Sequence, residues 1–314
     1  MFCSKCGKRM PLIQSQPQSP SSAPQPAPGD PPFLPVGKRL RNRYEITEPP
    51  IRAGMGGVYF AIDRGAGYRA CVVKQSKNPV TSDAVLQQLR VEPQRMAELS
   101  KAIGGGMPEV FETFVEDGWF YVVQRRIFGR TLEDLYNDRH PREEKEAVEW
   151  AIKCCKILKA IHGLGLIHRN INPDDLRLTY SGEIVIIDFG TLVELQRVIT
   201  KGTLGMARFG YTPPEQWAGK PGPHSDIFAL GATIYFLLTG FLPPHSEQLR
   251  KHGNPQPKDF APLFPAVRTI NPLVSQEVER ILARAQSLEV NRRYASAEEM
   301  QTDLERLAKT VEES

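Results

Sequence analysis

The sequence predicts an α+β fold of two lobes, a small β-rich one followed by a larger helical one. Three observations predict it. Short β-rich segments succeed one another to about residue 127, "YEITEPPI", "GGVYFAID", "ACVVKQ" and "EVFETFVEDGWFYVVQ", in the β-branched and aromatic composition that strands favour. From residue 131 onward apolar residues recur at helical spacing instead. The chain is also 40% apolar over 314 residues, enough for a core and too many for general disorder. A β lobe joined to an α lobe leaves a cleft between them, and ligands tend to sit in such clefts.

In chain order, residues 1–10 carry "CSKC" followed by Gly7, and residues 11–36 form a stretch rich in Pro, Ser and Gln. Such a composition cannot bury enough surface to offset chain entropy and reads as a semi-extended linker. The basic run "GKRLRNRYEI" at 37–46 reads as a solvated lead-in to the first strands, opening a β-rich lobe over 37–129. One helix interrupts that lobe at 82–103, started by a capping Ser82 and stopped by Gly104–Gly106. The helical lobe spans 130–312. Val148, Ala151, Cys155, Leu158 and Ile161 share one helix face, as do Val278, Ile281, Leu282 and Ala285. The last helix opens at a capping box, Ser296 with Glu299.

Bulk properties exclude several function classes. A formal charge of +4 lacks the concentrated basic face of a nucleic-acid binder. The longest apolar run, "IFALGATIYFLLTGFL" at 227–242, holds two glycines and falls short of the ~20 residues of a membrane span, so it reads as a buried helix. With no apolar signal core at the start and five cysteines that do not suggest a disulfide framework, a cytoplasmic location is expected. Cys154 and Cys155 read as core thiols, and His162 and His168 as structural.

The motifs are more specific. "GMGGVY" (54–59), "CVVK" (71–74), Glu92, "HRN" (168–170), "DFG" (188–190), "PPE" (213–215), "SDIFALGATIYFLLTG" (225–240) and "NRRY" (291–294) stand in the order and spacing of the eukaryotic-type Ser/Thr protein kinases, which the chain resembles across about 44–310. The style of the glycine-rich segment, linker and Cys-containing tip resembles bacterial signalling kinases. The resemblance implies ATP with Mg2+ in the cleft. Ile51, Gly54, Gly56, Val58, Val72, Gln124 and Arg177 would surround the nucleotide, Lys74 paired with Glu92 would hold phosphates, and Asp188, with Asp175, would take the metal. Glu215 with Arg293, and Asp226, resemble residues that maintain the lower lobe's architecture.

The sequence departs from that pattern where the chemistry sits. The family's catalytic-loop Asp, which takes or orients the substrate hydroxyl proton, is Asn170, and a carboxamide has no basic site near neutral pH. The family's Lys two positions on is Asn172, its metal-binding Asn is Asp175, and the activation-segment Thr is absent where Arg208 stands. Ile51 and Ala53 occupy the first two glycine positions of the phosphate loop, and only Gly56 matches the third. Val72 replaces the small residue of the adenine roof. In "DLRL", strand alternation sends Leu176 and Leu178 into the lobe and Arg177 toward the cleft, where the family has an apolar floor.

The expectation is therefore a kinase-like domain acting as a pseudokinase, a binding or regulatory module for protein partners such as an active kinase. Two alternatives stay open: an atypical Ser/Thr kinase of low activity, phosphorylating itself on Thr191, Thr200 or Thr203, and a nucleotide-binding switch without turnover. At the tip, Cys3 and Cys6 resemble half a zinc ribbon, with the second pair missing. A metal-free remnant, a Zn2+ shared between two chains and a redox pair all remain readings of it.

Overall fold

Alternation along the first long strands sets the architecture. The computed structural model describes residues 33–53, 56–188, 193–194, 210–241 and 265–312. Within these, β1 (Arg39–Leu40), β2 (Tyr44–Ile46), β3 (Ile51–Ala53), β4 (Gly56–Asp63), β5 (Arg69–Gln75), β6 (Val110–Glu116) and β7 (Trp119–Arg125) form one sheet. Its order is β1-β2-β4-β5-β7-β6, with β3 pairing β4 off that path, and every pairing is antiparallel. Successive strand side chains point to opposite faces. Tyr59 and Ala61, Cys71 and Val73, and Tyr121 and Val123 therefore enter one small core with Leu40, Tyr44, Ile46 and Phe114. Their neighbours Val58, Phe60, Val72, Lys74 and Gln124 face the cleft.

The run at 37–46 is more than a solvated lead-in. Arg43 donates to both oxygens of the fully buried Asp63, at 2.6 and 2.9 Å, and Arg69 adds a third bond at 3.1 Å. These guanidinium bonds, Arg43's foremost, hold the Asp63 carboxyl below its ordinary pKa. Leu34, inside the stretch read as linker, packs against this lobe's core, and its N–H donates to the Tyr59 hydroxyl at 3.3 Å.

Between β5 and β6 runs α1 (Asp83–Ile103), where the Ser82 hydroxyl accepts from the Val85 N–H and Gly104 ends the helix at a φ of 65°. Met96 and Leu99 are buried and join the larger core. The described helices of the lower lobe are α2 (Leu132–Asp138), α3 (Glu144–Gly163), α4 (Pro214–Trp217), α5 (Pro223–Thr239), α6 (Val267–Ile270), α7 (Gln276–Ala285) and α8 (Ala297–Glu312), and all but α4 send side chains into that core. All five residues expected on the α3 face and all four on the α7 face are buried. α5 is buried from Ser225 to Leu238, which explains its unbroken apolar run. Among the described residues no helix is long and apolar enough to cross a membrane.

The box at α8 is offset by one residue: Ser296 Oγ accepts from the Glu299 N–H, but the Glu299 carboxylate accepts from Ala295. Burial pushes the Cys154 thiol up to about 12 and raises Cys155 as well, consistent with core thiols. The strand read at "DLRL" is β10 (Leu176–Thr179); it forms a second sheet with β8 (Gly129–Thr131) and β11 (Ile184–Ile186), which escaped the periodicity, as did β9 (Leu166–Ile167), paired with β12 (Val193–Glu194). Pairing of β8 with β10 sets Arg177 opposite Thr131 and lays β10 beneath the cleft.

Candidate functional site

The loop between β9 and β10 is fastened from below. Asp226, in the first turn of α5 and fully buried, accepts from the His168 N–H at 2.9 Å and the Arg169 N–H at 2.6 Å, and contacts His162 Nε2 at 2.8 Å. Burial alone would raise the Asp226 carboxyl. The His162 contact and the bonds from the catalytic-loop backbone together outweigh it and hold the group below its ordinary pKa. Gln216 Nε2 donates to the Arg169 carbonyl at 2.8 Å. These bonds keep Arg169 at a φ of 69°, a left-handed conformation that a non-glycine residue rarely adopts. Close by, Arg293 grips Glu215 with two bonds, Nη1–Oε1 at 2.6 Å and Nη2–Oε2 at 3.0 Å, and the Arg293 side chain is fully buried.

Facing the cleft, the same loop is closed on itself. Asn170 Nδ2 donates to Asp175 Oδ2 at 2.7 Å. Asn172 Nδ2 donates to the Asn170 carbonyl at 2.9 Å and also to Asp175 Oδ2. The Asn172 oxygen accepts from the Asp174 N–H at 3.1 Å. Both amide hydrogens and the amide oxygen of Asn172 are thus engaged inside the loop, and the residue is fully buried. The side chain standing at the family's lysine position supports the loop and does not reach into the cleft.

Above the loop opens a cavity of about 460 Å³. Val58, Phe60 and Val72 form its roof, Gln124, Arg126 and Ile127 its back, and Asn170, Asp174, Asp175, Arg177 and Asp188 line its lower side. Lys74 Nζ lies 3.2 Å from Asp188 Oδ1 and donates to the Ile187 carbonyl at 3.3 Å. Ile51 sits half-exposed at the mouth. Gly56 has a φ of +136°, and a Cβ there would lie 2.1 Å from the Gln75 carbonyl. Glycine is required at that position by the neighbouring strand itself. Gln124 is buried between this cavity and a smaller one of about 100 Å³ reaching toward Met96 of α1.

Of the residues read from sequence, the structure gathers Ile51, Val58, Val72, Lys74, Gln124, Asn170, Asp175, Arg177 and Asp188 around one cavity. Gly56 lines the smaller one. Cys3, Cys6, Gly54, Thr191, Thr200, Thr203 and Arg208 lie outside the described residues, as does the Glu92 side chain. The lining residues that the sequence reading missed are Phe60, Pro108, Arg125, Arg126, Ile127 and Ile187. Phe60 follows from the alternation that placed Val58, whereas nothing local marked Arg126 or Ile127.

A cleft between a β lobe and a helical lobe, with Lys74 facing Asp188 over a loop clamped by Asp226, carries the geometry that the motifs implied. The sequence matches the family described as Protein kinase domain over residues 52–304. The chain belongs to that family. Over 275 residues it is 28% identical to the probable serine/threonine-protein kinase PknB of Lactococcus lactis, covering 87% of this chain and 43% of that protein. Over 271 residues it is 27% identical to the serine/threonine-protein kinase PrkC of Bacillus subtilis, covering 86% and 41%. Serine/threonine-protein kinase F of Synechocystis is 32% identical over 222 residues, 64% of this chain and 44% of that protein. The chain spans less than half the length of these relatives.

As a protein kinase domain, the chain comes from a family that uses ATP and Mg2+, and its cleft fits that pair unevenly. At the phosphate end, Lys74 and Asp188 stand where they would meet phosphate and metal, but Asp175 Oδ2 already accepts from two amides. At the base end, a guanidinium occupies the floor in place of an apolar side chain. Among the described residues no group of three or more His, Cys, Asp or Glu converges as a metal centre.

Proposed function

We propose that this protein kinase domain is a pseudokinase, a binding and regulatory module in signalling that does not transfer the γ-phosphate of ATP to protein hydroxyls. The observation that carries this reading is the buried Asn172, bonded through every group of its amide within a loop whose other amide, Asn170, is bound to Asp175. Phosphoryl transfer relies on positioning and on charges that meet the moving phosphoryl group. Here the base position carries an uncharged amide, and the neighbouring amide is turned away from any substrate. General-base contributions run at roughly 10²–10⁴-fold, and the missing ammonium removes a second stabilising charge. What remains is a two-lobed surface for protein partners, among them an active kinase or another signalling protein.

The Lys74–Asp188 contact at 3.2 Å favours a second reading, a Ser/Thr kinase of low activity in which positioning alone carries the reaction. Intact-mass measurement after prolonged incubation with ATP and Mg2+ separates the two. The pseudokinase stays at its unmodified mass, whereas a low-activity kinase gains phosphate, and the gain disappears in Lys74→Ala.

A further inference from the structure

Arg177 stands apart from the other cations of the cleft. Arg125 is paired with Glu109 at 2.8 Å, Arg126 with Glu48 at 2.6 Å and Lys74 with Asp188 at 3.2 Å. Arg177 Nη1 instead donates to a neutral acceptor, the Gly129 carbonyl, at 3.0 Å, and among the described residues no carboxylate lies within ion-pair reach of it. The side chain is half-buried and lines the cavity. Burial holds its pKa below the ordinary arginine value, with the charge of Asp134 working the other way. A half-buried guanidinium bonded only to a neutral acceptor keeps N–H groups to offer an anion.

The shape around it narrows the choice. Val58, Phe60 and Val72 cover the cavity from the upper sheet and Arg177 rises from β10 below, so the base end is a slot between two sheets, apolar above and cationic beneath. The opposite end is acidic: Asp174, Asp175 and Asp188 line it, with Lys74 held on Asp188. A nucleotide bound in the family's manner would put its uncharged base over the guanidinium and its polyphosphate, with Mg2+, beside Lys74 and Asp188. A ligand carrying its negative charge at the ring end would meet the guanidinium directly. A planar guanidinium also matches a carboxylate in two-point fashion and stacks on aromatic faces.

We propose that this cleft binds a planar aromatic carboxylate, its ring beneath Val58 and Val72 and its acid group on Arg177. The proposal rests on the reading that the cleft no longer serves phosphoryl transfer, and it names the ligand class that took the base's place.

The test uses the full chain and two probes of one shape, 1-naphthoate and its neutral analogue 1-naphthylmethanol, titrated calorimetrically, with ATP and Mg2+ in parallel. Wild type is expected to bind the acid at least about tenfold more tightly than the alcohol, the fold-change of a charge-assisted bond worth ~1.4 kcal/mol. Arg177→Leu is expected to bind the two equally and to bind ATP with Mg2+ more tightly than wild type does. Arg177→Gln carries the same expectation and serves if the leucine variant loses its circular dichroism signature. Absence of naphthoate binding at millimolar concentration, an acid preference that survives both substitutions, or weaker ATP binding in Arg177→Leu would each overturn the proposal. Phosphate transfer by wild type would sink the pseudokinase reading while leaving the acid preference measurable, so the two failures are distinguishable.

Discussion

The loop at residues 168–175 has an inner side and a cleft side, and ion pairing dominates one while amides bound to a carboxylate dominate the other. Inward, Asp226 holds the His168 and Arg169 N–H groups, and the Glu215–Arg293 pair closes beside it with two bonds. On the cleft side, Asn170 and Asn172 converge on Asp175. The inner ions are needed for the chain to fold, because a buried charge that loses its partner is expensive whatever the protein does. On the cleft side, Asn170 and Asn172 keep the loop's shape through Asp175 without supplying a base. The comparison teaches that this fold can be maintained from below while its upper face is free to change use.

The comparison breaks most readily at its inner side. Glu215→Ala would strand the fully buried Arg293 guanidinium and is expected to cost about 3–5 kcal/mol in chemical denaturation. A loss under 1 kcal/mol would show that the inner ions matter no more than surface pairs. Asn170→Asp sharpens the cleft side. It replaces the donor 2.7 Å from Asp175 Oδ2 with a second carboxylate, and is expected to destabilise by about 1–3 kcal/mol. It should not restore transfer alone, because Asn172 remains in the lysine's place.

The smallest effect is in pH. Burial lowers the pKa of both His168 and His224 below the ordinary 6.5, so the unfolded chain binds more protons as the solution is acidified. Stability should be flat above pH 7 and fall below about 6.5, with His168 contributing up to about 1.4 kcal/mol per pH unit. Asp226, whose pKa is lowered, keeps its contribution through that window and loses it only under stronger acid. A melting temperature unchanged from pH 7 to 5 would mean that His168 is not buried as a neutral group.

The large elements were legible because they follow simple periods. The faces of α3 and α7 and the alternation of β4 and β5 could be read from the spacing of apolar residues, and Leu176 and Arg177 from a four-residue strand. The two- and three-residue strands β1, β3, β8 and β9 were harder, being too short to show any period. The site's membership was largely readable from motifs, but its bonding was not. That Asn172 turns inward depends on backbone groups of Asn170 and Asp174 that no residue pattern reveals. Arg43 looked like one of several exposed cations, and only the fold brings it to Asp63 twenty positions away.

The central claim meets its most direct test in the time course of radiolabel passing from γ-labelled ATP to a protein substrate in the presence of Mg2+. Wild type is compared with Lys74→Ala and with the doubly restored Asn170→Asp/Asn172→Lys. The account predicts that wild type and Lys74→Ala are indistinguishable from buffer, with any gain confined to the restored variant. Wild-type transfer at the roughly 1–100 s⁻¹ of working kinases, abolished by Lys74→Ala, would contradict it.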